Sequence, residues 1–372
     1  MIVTVSNDLA AFADLWPVLD QPGPHRAYAF QARDVLEVWL ETIGAARGTL
    51  PLFVCVAHPD GTPVMLLPLG LERHCGLRFL GFLDGGVSDY NAPVMFPGSG
   101  DIEAADIGVL WANILAKLPA CDVVILEKMP ADVGEFKNSL QALAPVLESC
   151  SGHLIHLDPP IQGEKAAPKS TRFSDAARKR RKLAVLGEIR FVVSQTKPEI
   201  ARAFEAMVRQ KTRRYIDTRG VDGFERPGYR AYYRKMTERF SASGQVKVTA
   251  LFSGETPIAT GWGIMTRDRF YDLMPAFEAG EWARYSPGML HLESLIAWAH
   301  LQGITTYDLG IGDELYKFRV ANGRLPLFSG QYAMSAKGRA FLLLLVLRRK
   351  LAGGPVGAAW RAYKAWRLSK TD

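Results

Sequence analysis

"VKVTALFSGETPIATGWGIM", residues 246–265, decides the fold. Two runs rich in β-branched and aromatic residues flank SGET, a turn signal, so the stretch predicts an antiparallel hairpin. RFYDLMPAF (269–277) follows as a third strand. The loop EAGEWARYSPG (278–288) opens a helix over 287–301, with Leu290, Leu292, Leu295, Ile296, Ala299 and Leu301 as its apolar positions. The strand TTYDLGI (305–311) comes after Gly303. The order is strand, turn, strand, strand, loop, helix, strand.

The same order stands in the first half. LFVCVAH (52–58) and TPVMLLPLGL (62–71) are strand runs around PDG. LRFLGFL (77–83), the loop DGGVSDYNAP (84–93), a helix over 102–118 and the strand CDVVILEKM (121–129) complete it. Identity between the halves is slight, so what repeats is the pattern, and it predicts a structural duplication. Between the halves, residues 158–173 read as a linker rich in Pro, Gly and Lys, followed by a helix capped at Ser174 that carries RKRRK (178–182). Further helices are expected over 198–214 and 227–243. YIDTRGVDGFERPG (215–228) between them is an exposed connection and a candidate lid.

At 372 residues the chain exceeds what one core usually supports. The bounds expected are 1–160, 161–335 and a basic tail, 336–372. The composition, 48% hydrophobic and 22% charged, is globular. The longest clean apolar run, AFLLLLVL (340–347), falls short of the roughly 18 to 20 residues a spanning helix needs. The start MIVTVSNDLAAFADLW lacks a basic, apolar export signal, and a cytoplasmic protein is expected. The four cysteines are scattered with no C-x-x-C pair, which argues against a zinc ribbon or disulfide framework. His153 and His156, three apart on an extended segment, point to opposite faces, and no metal is expected. Of the net charge of +7, residues 337–372 carry +8, nine basic side chains against one acidic. Trp360, Tyr363 and Trp366 stand among these cations, which suits an anionic membrane surface at the inner face of the cell membrane. A cyclic dinucleotide is the other candidate partner for the tail.

No phosphate-loop, nucleophile-elbow, H-E-x-x-H or G-x-G-x-x-G motif occurs, which disfavours ordinary NTPases and elbow hydrolases. RYSPGM at the helix start is the candidate binding element. Ser286 can cap, Pro287 suits the first turn, Gly288 permits close approach, and Arg284 stands nearby, a setting that attracts phosphate. TTYDLGIGDELYKFR (305–319) then crowds charges behind a strand end. There Lys317 and Arg319 could hold a negative substrate or oxyanion, Tyr316 could protonate a leaving thiolate, and Asp308 or Asp313 could accept a proton.

GFLDGGVSDYNAPVM (81–95), ARYSPGMLHL (283–292) and YDLGIGDELYKFR (307–319), with LLPL and the basic helix, resemble the CelD/BcsL-type acetyltransferases of the GNAT superfamily, associated with bacterial exopolysaccharide synthesis. The resemblance covers roughly 30–335. It implies an α/β (α+β) fold of two tandem GNAT-like domains, each a mixed, mostly antiparallel sheet flanked by helices. It implies acetyl-CoA as acyl donor, bound in the second domain by Arg284, Tyr285, Ser286, Pro287 and Gly288. The acceptor would be a saccharide or lipid-linked saccharide in the cleft between domains, where Asp89, Tyr90, Asp272 and Arg319 are substrate-binding candidates. Catalytic candidates are Lys317, Tyr316, Asp308 and Asp313. The usual cofactor signature, Arg or Gln then x-x-G-x-G or A, is missing. Two alternatives are aminoacyl transfer from charged tRNA, as in the cell-wall peptidyltransferases that share the plan, and a non-catalytic scaffold that senses an anion or membrane. Nucleic acid is not an expected partner of the leading reading.

Overall fold

The protein is described from a computed structural model over residues 1–102, 106–148, 150–157 and 175–353. The linker, its Ser174 cap and the aromatic segment 354–372 lie outside the described residues.

In the first half, β1 (Ile2–Ser6) is followed by α1 (Arg33–Trp39), which continues through a π turn into the short α2 (Ala45–Arg47). Then come β2 (Leu50–Ala57), β3 (Pro63–His74), β4 (Leu77–Phe82), β5 (Val94–Met95), α3 (Ile107–Lys117) and β6 (Val123–Pro130). β2 buries five consecutive side chains, Leu52 to Val56, as a strand covered on both faces does. α3 buries Ile107, Leu110, Trp111 and Ile114, one face at helical spacing. β1 to β4 form an antiparallel meander, β5 pairs with β3, and β6 lies parallel to β4. A small hairpin, β7 (Asp132–Val133) and β8 (Phe136–Lys137), precedes β9 (Val146–Leu147) and β10 (Gly152–His156).

The second half repeats the plan with α4 (Ala176–Ala184), β11 (Ile189–Val193), α5 (Lys197–Arg219), α6 (Tyr229–Phe240), β12 (Val246–Ser253), β13 (Thr256–Met265), β14 (Arg269–Asp272), β15 (Ala276–Phe277), α7 (Pro287–Leu301) and β16 (Thr306–Ile311). β11 to β14 are antiparallel neighbours, β15 pairs with β13, and β16 lies parallel to β14. The two sheets are therefore the same construction twice. The described residues end with α8 (Leu315–Val320), β17 (Gly323–Leu325), β18 (Leu327–Ala333) and α9 (Ala336–Gly353).

Strands cross between the sheets. β10 inserts into the second sheet, between β16 and β17. β18 returns to the first, pairing with β6 and β9. The sheets thus do not divide strand for strand at 160. One core runs through both halves, from Trp16 and Val54 to Tyr233 and Trp262.

The connection expected over 215–228 is shorter, because α5 runs on to Arg219 before Gly220 ends it in the left-handed region, φ 75°. Its start is held by a reciprocal capping box of Thr196 and Glu199. What remains is pinned rather than lid-like. Phe224 packs edge-on against Tyr215 and Tyr233, and all three rings are buried.

Candidate active site

β14 and β16 pair only over Arg269–Tyr271 and Thr306–Asp308. Beyond Asp272 the chain leaves to pair with β13 as β15, while β16 continues to Ile311. Parallel strands that part in this way leave unpaired edges, and Asp272 sits at the fork. In the first sheet the equivalent opening beside β6 is filled. Asn91 donates its backbone N–H to the Lys128 carbonyl at 3.0 Å and its side-chain amide to the Glu127 carbonyl at 3.0 Å.

Two cavities meet at the open fork. One is a polar cleft of about 410 Å³, with Gly86, Val87 and Asp89 from the first half facing Lys211, Leu309–Ile311 and Lys317 from the second. The other is a mostly apolar groove of about 310 Å³ between Ala276–Phe277 and the start of α7, Ser286–Met289. Arg214, Asp272, Pro275 and Tyr316 line both.

Asp272 is 5% exposed. Its Oδ2 accepts from the Tyr307 hydroxyl at 2.9 Å, and its Oδ1 has no partner among the described residues. Burial pushes its pKa up to about 6, against the Tyr307 hydrogen bond and the attraction of Lys211 and Lys317. Asp89 also rises to about 6, through burial and then the nearby Asp308 charge, and it accepts from the Ile311 N–H at 3.2 Å. Asp308 is different. Fully buried, it takes Arg269 Nη2 at 2.6 Å and Nε at 3.1 Å on Oδ2, and the Tyr90 hydroxyl and the Gly310 N–H, each at 2.8 Å, on Oδ1. A carboxylate so occupied holds strands together and has little capacity left for a substrate proton.

Lys317 and Tyr316 reach the site because α8 turns them inward. Lys317, 3% exposed, donates to the Ile311 carbonyl at 2.8 Å and the Gly310 carbonyl at 3.3 Å, and pairs with Glu314 at 3.1 Å. Burial, then the Asp272 and Glu314 charges, raises the pKa of Tyr316, so its hydroxyl keeps its proton. Lys211 and Arg214 escaped the sequence reading. With Tyr215 and Thr218 they line the cleft at helical spacing along α5, a periodicity that was available but lay inside an unremarkable basic stretch. Burial, and next the Arg214 charge, lowers Lys211 to about 8.

At the groove, Ser286 is left-handed, φ 51°, a conformation uncommon for a side chain other than glycine. It makes no side-chain cap to α7; its hydroxyl accepts from Lys179 Nζ at 2.9 Å instead. That corrects the capping role and brings one lysine of the basic helix to the α7 start. Arg180 beside it ties α4 to α7 through Glu293 at 3.1 Å and the Leu290 carbonyl at 3.0 Å. Arg178, Arg181 and Lys182 remain exposed. Pro287 occupies the first turn, and a Cβ on Gly288 would lie 2.8 Å from Phe277, so the glycine lets α7 approach β15.

The remaining candidates line neither cavity. Arg284 lies over the neighbouring Tyr285 ring at 4.9 Å, and Tyr90 is buried behind the cleft. Asp313 accepts from His153 at 2.9 Å, which holds its carboxyl below the usual range, and Arg319 is exposed on α8. No cluster of His, Cys, Asp and Glu among the described residues could hold a metal.

Residues 170–318 match the family profile of the acetyltransferase (GNAT) domain. No curated protein sequence matches the chain. Among solved structures it is similar to FemX, at TM-score 0.54 and 12% identity over 92% of this chain and 99% of that one. It is also similar to a conserved protein of unknown function from Bacteroides thetaiotaomicron VPI-5482, at TM-score 0.52 and 11% identity over 88% of this chain and 99% of that one. At such identities the likeness is one of fold, and it spans both halves. Residues 170–318 thus match the acetyltransferase (GNAT) domain, and the chain that carries them has a tandem GNAT-like fold.

Proposed function

We propose that the chain transfers an acyl group, acetyl from acetyl-CoA, to an amine or hydroxyl of a saccharide or lipid-linked saccharide in exopolysaccharide synthesis. The acceptor class follows the CelD/BcsL-type resemblance. The observation that carries the transfer is the meeting of the two cavities at Asp272. An apolar groove ending at a helix start, where the lining residue Ser286 accepts from Lys179, fits a thioester arm and its phosphates. A cleft lined by Asp89, Lys211, Glu314 and Lys317 fits a polar, hydroxylated acceptor.

In this reading the acceptor nitrogen or oxygen attacks the thioester carbonyl carbon directly. Asp272, which lines both cavities, takes the proton released from the acceptor. Tyr316 gives its proton to the departing thiolate as the carbon–sulfur bond breaks. Arg214, which lines both cavities, is placed to stabilise the tetrahedral oxyanion.

The test offers acetyl-CoA with a panel of amino sugars, neutral sugars and undecaprenyl-linked sugars, reading thiol release together with the acceptor's mass. Acceptor-dependent thiol release and a 42-dalton gain, about that of one acetyl group, are expected. Transfer only from aminoacyl-tRNA, or no transfer from any donor, would overturn the reading.

A further inference from the structure

α9 is apolar on two opposite faces, and the fold uses one. Gly338 is buried, Phe341 packs edge-on against Phe79 at 5.3 Å, and Leu342 and Leu345 are half-buried, a set spaced i, i+3, i+4, i+7 that seats the helix on the first half. Ala340, Leu343, Leu344 and Leu347 repeat that spacing on the other side, and all four are exposed. The leucines are 64%, 64% and 55% exposed, with Val346 beside them at 49%. No described residue covers this stripe. Isolated exposed leucines are ordinary on a protein surface, but a continuous helical stripe is not.

From the chemistry of the surrounding chain we infer that this stripe docks on an anionic lipid surface. Lys337 and Arg339 are exposed on the same helix, and Arg348, Arg349 and Lys350 follow the leucines directly in sequence. Residues 337–372 carry nine basic side chains and one acidic, while the rest of the chain sums to −1. A second copy of the chain would bring like charges together at such an interface. An anionic bilayer offers the stripe an apolar layer to enter and the cations their counter-charge. No helix among the described residues is long and apolar enough to cross a membrane, so the contact is peripheral. This goes beyond the proposed reaction and does not rest on it.

Flotation of the full chain with vesicles tests the inference. Phosphatidylcholine vesicles containing a third phosphatidylglycerol are expected to carry the protein up, and pure phosphatidylcholine vesicles to leave most of it behind. Changing Leu343, Leu344 and Leu347 to Glu should reduce flotation at least tenfold without lowering the melting temperature, since none of the three packs on the body. Changing Arg348, Arg349 and Lys350 to Gln should weaken binding by about a hundredfold, at about fivefold per cation, and added salt should weaken the unaltered protein. Equal flotation of the leucine variant would overturn the proposal. So would a dimer, seen by light scattering, that the leucine variant dissociates while neither form floats.

Discussion

The Tyr307 hydroxyl donates to Asp272 Oδ2 at 2.9 Å and leaves the buried Oδ1 of the same carboxylate without a partner among the described residues, on a side chain that lines both cavities. One oxygen fixes the side chain, and the residue lines both cavities, where acceptor and thioester would meet. A buried carboxylate held this way suits general-base chemistry, because its pKa near 6 leaves it ionised yet basic at neutral pH.

Asp272→Asn should therefore lower kcat by about 10²- to 10⁴-fold, with a smaller change in KM. In the unaltered enzyme kcat should fall below about pH 6, as Asp272 gains its proton, and the variant's residual rate should lose that acid limb. Stability should move the other way. A carboxyl whose folded pKa is raised binds more protons folded than unfolded between its ordinary value and about 6, so its charge destabilises the fold above pH 6. Thermal unfolding at pH 7.5 should find the Asn variant at least as stable as the parent.

Tyr316→Phe should lower kcat by about ten- to a hundredfold through loss of the proton given to the thiolate. A donor whose thiol is already acidic needs no such proton. Aryl thioesters should then recover most of the lost rate relative to acetyl-CoA, and a variant equally slow with both would place Tyr316 elsewhere in the mechanism. Because its environment raises the Tyr316 pKa, the residue should contribute no alkaline limb below pH 10, about where an ordinary tyrosine titrates.

The duplicated plan was legible because each half announces itself locally. β-branched alternation, turn residues and helical spacing all act within a dozen positions, and α7 begins and ends where its apolar stripe does, Pro287–Leu301. The exchange of β10 and β18 was not. Nothing in GHLIH or LFSGQYA names a partner more than 150 residues away; that choice is made by which sheet edge is open once the rest has packed. The site divides similarly. Lys317, Tyr316 and Ser286–Gly288 were visible as chemistry beside strand and helix ends, and the structure brings them to the fork. Asp308 looked equally chemical, yet its three hydrogen bonds from Arg269 and Tyr90 depend on long-range pairing that no local pattern reports.

Lys179→Ala should raise KM for acetyl-CoA several-fold while leaving kcat within about twofold. The ammonium stands 2.9 Å from the Ser286 hydroxyl at the α7 start and adds a full charge where the helix supplies only partial ones. The salt dependence of KM should shrink in the variant, since one cation–phosphate attraction is gone. Calorimetric titration with CoA alone checks this without turnover.

Tyr90 and Asp308 join the halves of the molecule across 218 positions of sequence, at 2.8 Å. Asp308→Ala should remove about 3–5 kcal/mol of stability, because it strands the buried Arg269 guanidinium without its counter-charge. Tyr90→Phe keeps the ring that packs against Tyr28 and Phe30 and loses only the hydroxyl, so about 1–2 kcal/mol is expected. Denaturant unfolding of both single variants and the double variant separates the two effects. The double variant should lose less than the sum, since the Tyr90 hydroxyl has nothing to donate to once Asp308 is gone. Full additivity would mean that the two residues stabilise the fold independently, and that the hydroxyl–carboxylate bond between the halves contributes nothing of its own.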